Sequence, residues 1–176
     1  MSDSLPIPRT SLPPDDPQRR LTVASVDSPA AHHLSIASGS YTILITGEQT
    51  AGRYTLIDML VPPGGGPPPH RHDFEEMFSI LEGEIELTFR NQTTTARAGA
   101  TVNIPANAPH SFRNTSPSPA HLLCLCTPPG QEKFFEQVGD PLPTRNAPPP
   151  KLSKEEQDQR KQKAAALAAT YRTEFL

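Results

Sequence analysis

Twenty-two of the 176 residues are proline, and their placement marks the boundaries within which regular structure can form. Proline has no backbone N–H to give to a ladder, and it restricts the residue before it. The prolines crowd the first seventeen residues, residues 62–69 and residues 141–150. The first and last of these stretches read as an extended arm and a linker. The middle one, VPPGGGPPPH, reads as a rigid turn that delivers the chain into the segment beginning at His70. A flexible interdomain linker is the competing reading, and it loses because candidate ligands begin immediately afterwards.

Between these markers lie seven runs rich in β-branched or aromatic residues: Ser40 to Thr46, Arg53 to Val61, Glu76 to Leu81, Glu84 to Phe89, Thr101 to Ile104, His110 to Arg113 and His121 to Cys126. Gly83 ends one of them with a tight turn, and Asn91 to Thr95 makes a polar hairpin tip. Seven short strands with no long helix among them predict an all-β antiparallel barrel or sandwich, with a cavity at its mouth. After the strands, Gln131 to Val138 predicts a short helix ended by Gly139, whose Phe134 and Phe135 can pack on the barrel or cover its mouth. A capping box, Ser153-x-x-Glu156, then opens an Ala-rich helix with Ala164, Leu167, Tyr171 and Phe175 on one stripe. That stripe docks on the barrel or on a second subunit, a free tail being the alternative. The resulting organisation is a Pro-rich arm over residues 1–20, a barrel domain over 21–140, a Pro-rich linker over 141–152 and a C-terminal helix over 153–176.

The chemistry is concentrated in two spaced motifs. The first reads Gly64-x5-His70-x-His72-x3-Glu76-x6-Gly83, and the second Gly99-x5-Pro105-x-Asn107-x2-His110-x3-Asn114. Side chains at i, i+2 and i+6 of a strand share a face, so a strand beginning near His70 puts His70, His72 and Glu76 together. Phe74, Phe78 and Ile80 fall on the same face, which makes it apolar around a polar cluster. A lone His or Glu in a strand is ordinarily a satisfied polar group. Two histidines and a carboxylate at this spacing, framed by Pro and Gly, favour a metal ion instead. The competing Glu75 has the parity of the opposite face. Imidazole and carboxylate together suit iron, nickel, manganese, copper or zinc rather than calcium. His32, His33 and His121 lie outside both motifs and read as ordinary surface or loop residues.

These motifs resemble those of the cupins, small double-stranded β-helix (jelly-roll) barrels, over about residues 40 to 130. Asn107 alone departs from the pattern, where the family usually has glycine. Asparagine best tolerates a left-handed turn among the other residues, so the fold is not threatened. The proline-rich approach GGGPPPHRH and the single-barrel size look most like the quercetin dioxygenase-like monocupins. Carried over by position, the resemblance implies one divalent transition metal ion held by His70, His72, Glu76 and His110. It also implies that Glu76 is the catalytic group, both binding the ion and taking a proton from a substrate hydroxyl. Substrate-binding walls are expected from Phe78, Phe112, Met59 and Ile57, with Phe112 the strongest because it shares the face of His110. Barrel core is the competing role for all four. Three functions stay open: a dioxygenase-like oxidoreductase acting on a small aromatic or enolic substrate beside dioxygen, a non-oxidative enzyme using the ion as a Lewis acid, and a small-molecule-binding module.

A formal charge of −3 with no long basic run gives no footprint for nucleic acid or an anionic membrane. No apolar stretch spans a bilayer and MSDSLPIPRTSLPPDD lacks a secretory pattern, so the cytoplasm is the expected address. Cys124 and Cys126, the only cysteines, share a strand face but read as too far apart and too parallel for easy bridging. They are expected as reduced core thiols, with a metal role open but the four-ligand set already complete. A homodimer is expected from the family resemblance and the apolar tail stripe.

Overall fold

The computed structural model describes residues 11–176. The first ten residues of the expected arm lie outside the described residues, and residues 11–31 form only turns and irregular chain. Twelve strands follow: β1 (His32–Ile36), β2 (Gly39–Ile45), β3 (Thr55–Val61), β4 (His70–His72), β5 (Glu75–Glu82), β6 (Glu84–Phe89), β7 (Gln92–Arg97), β8 (Thr101–Ile104), β9 (His110–Arg113), β10 (Ala120–Thr127), β11 (Asp140–Leu142) and β12 (Thr173–Phe175). Two helices complete the chain, α1 (Gln131–Val138) and α2 (Lys154–Ala168). The strands form a seven-stranded sheet in the order β11-β1-β2-β3-β10-β5-β8 and a five-stranded sheet in the order β12-β4-β9-β6-β7. Every pairing is antiparallel. This is the all-β jelly roll, with a short helix and a C-terminal helix appended.

The core fills the space between the sheets because inward positions alternate along each strand. Leu122 of β10 stands opposite Met59 of β3 and Ile80 of β5, and all three are buried with Ile57, Phe78, Ile85 and Phe112. Each such side chain contributes about 1.5–3 kcal/mol by leaving water. The backbone is pinned where the chain approaches itself. Gly66 has φ +135, and a Cβ there would meet the Phe112 carbonyl oxygen at 2.1 Å, so only glycine fits the turn ahead of His70.

Several sequence expectations need correction. The polar tip after β6 is only Arg90 and Asn91, both at positive φ. Gln92 to Thr95 instead pair with β6, because a run of threonines makes an acceptable exposed strand. The barrel begins at β1 rather than at residue 21, and β11 pairs with β1, so the linker starts after Leu142. The C-terminal helix ends at Ala168. A 3-10 turn over Ala169–Tyr171 and a left-handed Arg172, φ 60, then redirect the chain into β12, which pairs with β4. His121 is neither a loop nor a free surface residue. It lies on β10 with Nε2 2.5 Å from Asp58 Oδ2, while Arg145 donates from Nε to Asp58 Oδ1 at 2.7 Å. Asp58 is buried on the outer face of β3, and this cluster ties the linker to the barrel.

The capping box at the start of α2 is present, with Ser153 and Glu156 satisfying each other's backbone N–H groups. Ala164, Leu167, Tyr171 and Phe175 pack against this chain's own core, although Phe175 does so from β12 rather than from the helix. Arg160 of α2 donates two hydrogen bonds to Asp140. Among the described residues, no helix is long and apolar enough to cross a membrane.

Candidate metal centre

His70 and His72 point inward from β4 with Arg71 outward between them, as strand alternation requires. The strand does not continue to Glu76. The chain breaks at Asp73 and Phe74 and crosses to the large sheet, keeping its parity, so that Glu76 faces the two histidines from β5. His110 opens β9 directly opposite His70. The outward Glu75 accepts from the Ala106 N–H and from Asn103 Nδ2, fixing the turn that leads to His110. Asn107 sits in that turn at φ 66, the left-handed region, and its N–H donates to the His72 carbonyl at 2.7 Å.

All four side chains are buried, and one candidate ligand atom from each lies within 4.8 Å of all the others. The ring orientations are set by the backbone. Nδ1 of His70 donates to the Pro68 carbonyl, Nδ1 of His72 to Phe74 and Nδ1 of His110 to Ala108, each at 2.9 Å. A carbonyl can only accept, so each Nδ1 carries the proton and each Nε2 presents a lone pair to the cluster. Glu76 Oε2 lies 3.2 Å from Nε2 of His72 and 3.3 Å from Nε2 of His110. Nε2 of His110 has no hydrogen-bond partner. Buried lone pairs turned toward a carboxylate are unfavourable unless a proton or a cation stands among them. Neighbouring ligands of an octahedral ion with bonds of about 2.1 Å would be about 3.0 Å apart, close to the separations found. The donor set fits a transition metal ion.

The electrostatics agree. Burial pushes the Glu76 carboxyl up, but the His110 and His72 side chains outweigh it and hold Glu76 below the usual carboxylate range. Burial, then the neighbouring His110, pushes the His70 imidazole down to about 4, so it is neutral and ready to ligate at neutral pH. Burial also opposes the charged form of His110, but Glu76 overrides it and raises that imidazole.

His70 and Glu76 line a cavity of about 1060 Å³. Of the four residues expected to bind substrate, Met59 and Phe112 line it, and Phe78 and Ile57 do not. Phe78 stands behind Phe112 in an edge contact, ring centroids 5.1 Å apart, and Ile57 is fully buried core. Face parity cannot tell a side chain at the cavity from one beneath it. Tyr41, Phe134 and Phe135 supply the rest of the aromatic wall. Phe134 and Phe135 therefore both pack and cover. Tyr41 escaped sequence reasoning because its signal is the register that sets it opposite Met59, which a single strand does not display. The C-terminal segment also contributes, with Phe175 beside His70 at 6.5 Å between ring centroids.

Barrel and site together define the class. Residues 57–126 match the cupin domain family, so the barrel carries a cupin domain. Its relatives include an uncharacterized protein of Methanocaldococcus jannaschii, 33% identical over 78 residues, which are 44% of this chain and 62% of that one. Quercetin 2,3-dioxygenase of Bacillus subtilis is 28% identical over 128 residues, covering 72% of this chain and 37% of the relative. The chain thus spans less than two thirds of the length of each. Among solved structures, a predicted oxalate decarboxylase from Thermotoga maritima superposes with a TM-score of 0.53 at 20% identity, covering 60% of this chain and 98% of the other. At that identity the likeness speaks for the fold alone.

Proposed function

We propose that this chain is a metal-dependent, dioxygenase-like oxidoreductase acting on a small aromatic or enolic substrate, with dioxygen as the second substrate. One observation carries the proposal: three imidazole lone pairs and a carboxylate converge where an aromatic-walled cavity meets the barrel interior. Similarity to a quercetin 2,3-dioxygenase over most of this chain supports the oxidative reading. A bound iron, nickel, manganese or copper ion would supply redox chemistry and Lewis acidity there, and zinc only the latter. His70, His72 and His110 would hold the ion through Nε2, and Glu76 through Oε2. The walls from Tyr41, Met59, Phe112, Phe134 and Phe135 exclude water and favour a flat ring. Glu76 stands within reach of a substrate hydroxyl bound at the same place and takes its proton.

Metal analysis of the purified protein, followed by oxygen uptake with a panel of flavonols and other enolic phenols, tests this directly. A stoichiometric redox-active metal with substrate-dependent oxygen consumption is the expected result. Turnover under nitrogen replaces the oxidative reading with Lewis-acid catalysis, and tight binding without turnover replaces it with a binding module.

A further inference from the structure

Cys124 and Cys126 are buried reactive groups that the histidine cluster leaves unused. Both project from β10 onto the inner face of the large sheet, and Cys126 stands directly opposite Glu76 in register. Core thiols ordinarily sit among apolar atoms, but these two converge on one carboxylate oxygen. Cys124 Sγ is 3.4 Å and Cys126 Sγ 4.0 Å from Glu76 Oε1, and the sulfurs are 3.6 Å apart without a bond. Three atoms at these separations lie on a circle of radius about 2.1 Å, next to the roughly 2.0–2.3 Å bonds that zinc makes with carboxylate oxygen and thiolate sulfur. The other oxygen, Oε2, faces His72 and His110.

We infer that Cys124, Cys126 and Glu76 Oε1 form a second metal site, for a thiophilic divalent cation of the zinc kind, with Glu76 bridging it to the histidine site. The charge balance favours it. Both thiols lose a proton on ligation, so one divalent cation enters as two protons leave and the buried charge is unchanged. The ligands also sort the metals: thiolates draw the softer ion, and the imidazole-rich side keeps the intermediate one. Only Glu76 is common to the two sites, so the second does not depend on the oxidative reading of the first.

Cobalt(II) reports thiolate ligation through an intense sulfur-to-metal charge-transfer band that a histidine–carboxylate site lacks. The full chain, loaded with cobalt(II) in the growth medium and again after purification, should bind two equivalents and show that band. Cys124→Ala and Cys126→Ala should each fall to one equivalent and lose the band. His72→Ala should keep the band while the histidine equivalent is lost. One equivalent with no band in the unaltered chain overturns the second site, leaving the thiols as hydrogen-bond donors to Glu76 alone. A band that survives in the double Cys124→Ala, Cys126→Ala chain overturns it equally.

Discussion

Replacing His110 with alanine separates the metal from the fold. In the metal-free protein the substitution removes the Nδ1–H bond to the Ala108 carbonyl, about 1 kcal/mol, and the packing of the ring on His70 at 4.3 Å between centroids. Against that, it removes a buried Nε2 with no partner and relieves its contact with Glu76. The net cost is therefore about 1–2 kcal/mol, or roughly 2–8 °C in Tm for a domain of this size. The metal effect should be larger and should disappear. A ligand at about a hundred times its Kd stabilises the native state by about 2.7 kcal/mol, which corresponds to roughly 5–10 °C. Thermal melts of the parent chain and of His110→Ala, each with chelator and with added metal, read both quantities, and elemental analysis gives the occupancy. If His110→Ala keeps the full metal-induced rise in Tm, His110 is not a ligand and the convergence of Nε2 atoms has been misread.

Ile57→Val should cost about 1 kcal/mol in denaturant melts without changing ligand affinity, whereas Phe112→Leu should weaken ligand binding, because only Phe112 reaches the cavity. Burial and then His110 lower the His70 imidazole from 6.5 to about 4, so the stability it contributes is complete above pH 6.5 and is lost as pH falls toward 4. The metal-free stability difference between the parent chain and His70→Gln should shrink over that window by at most about 3 kcal/mol; a difference that stays flat with pH would rule this out. Arg145→Ala leaves the buried Asp58 with His121 alone and should cost about 1–3 kcal/mol, with proteolysis of residues 143–152 accelerated. Deleting Thr173 to Leu176 should leave the barrel folded by circular dichroism yet weaken metal binding about 10–100-fold, the range for lost support of metal ligands; unchanged affinity would show that β4 holds its histidines unaided.

Much of the site was legible because ligand spacing and face parity are local properties. His70, His72 and Glu76 keep the inward phase expected of one strand even though the chain breaks after His72 and changes sheet. The break is invisible to parity, since Asp73 and Phe74 continue the outward and inward alternation that burial enforces. Glu75 and Glu76 were separable on the same ground, and the outward Glu75 proves to brace the His110 turn. What parity cannot supply is depth. Phe78 and Phe112 have equal claims by phase, yet one stands behind the other, and that order is decided by how two sheets stack. The short strands β1, β7 and β11 were missed because each is recognised by its partner more than by its composition: β11 is only Asp140–Leu142 with a proline at its centre, and it holds one sheet edge by pairing with β1.

The C-terminal strand shows why the same limit matters for function. β4 has three residues, and a single register pair, His70 with His110, joins it to β9. A strand that short would hold two ligands poorly at a sheet edge, where unpaired backbone groups face water. β12 supplies the missing ladder, setting Thr173 opposite His72, Glu174 opposite Arg71 and Phe175 opposite His70. The Asp73 N–H also donates to the Arg172 carbonyl at 2.9 Å, and the Leu176 N–H to Pro69 at 3.0 Å. The left-handed Arg172 is the turn that makes this possible, because a helix continued to Phe175 would carry the chain past the barrel. In the sequence, Tyr171 and Phe175 read as one helical stripe, since an i, i+4 pair has the same spacing whether or not the helix persists. The tail that looked like an appendage is therefore part of the scaffold that aims His70 and His72, and the placement of these two candidate ligands depends on residues about a hundred positions further along the chain.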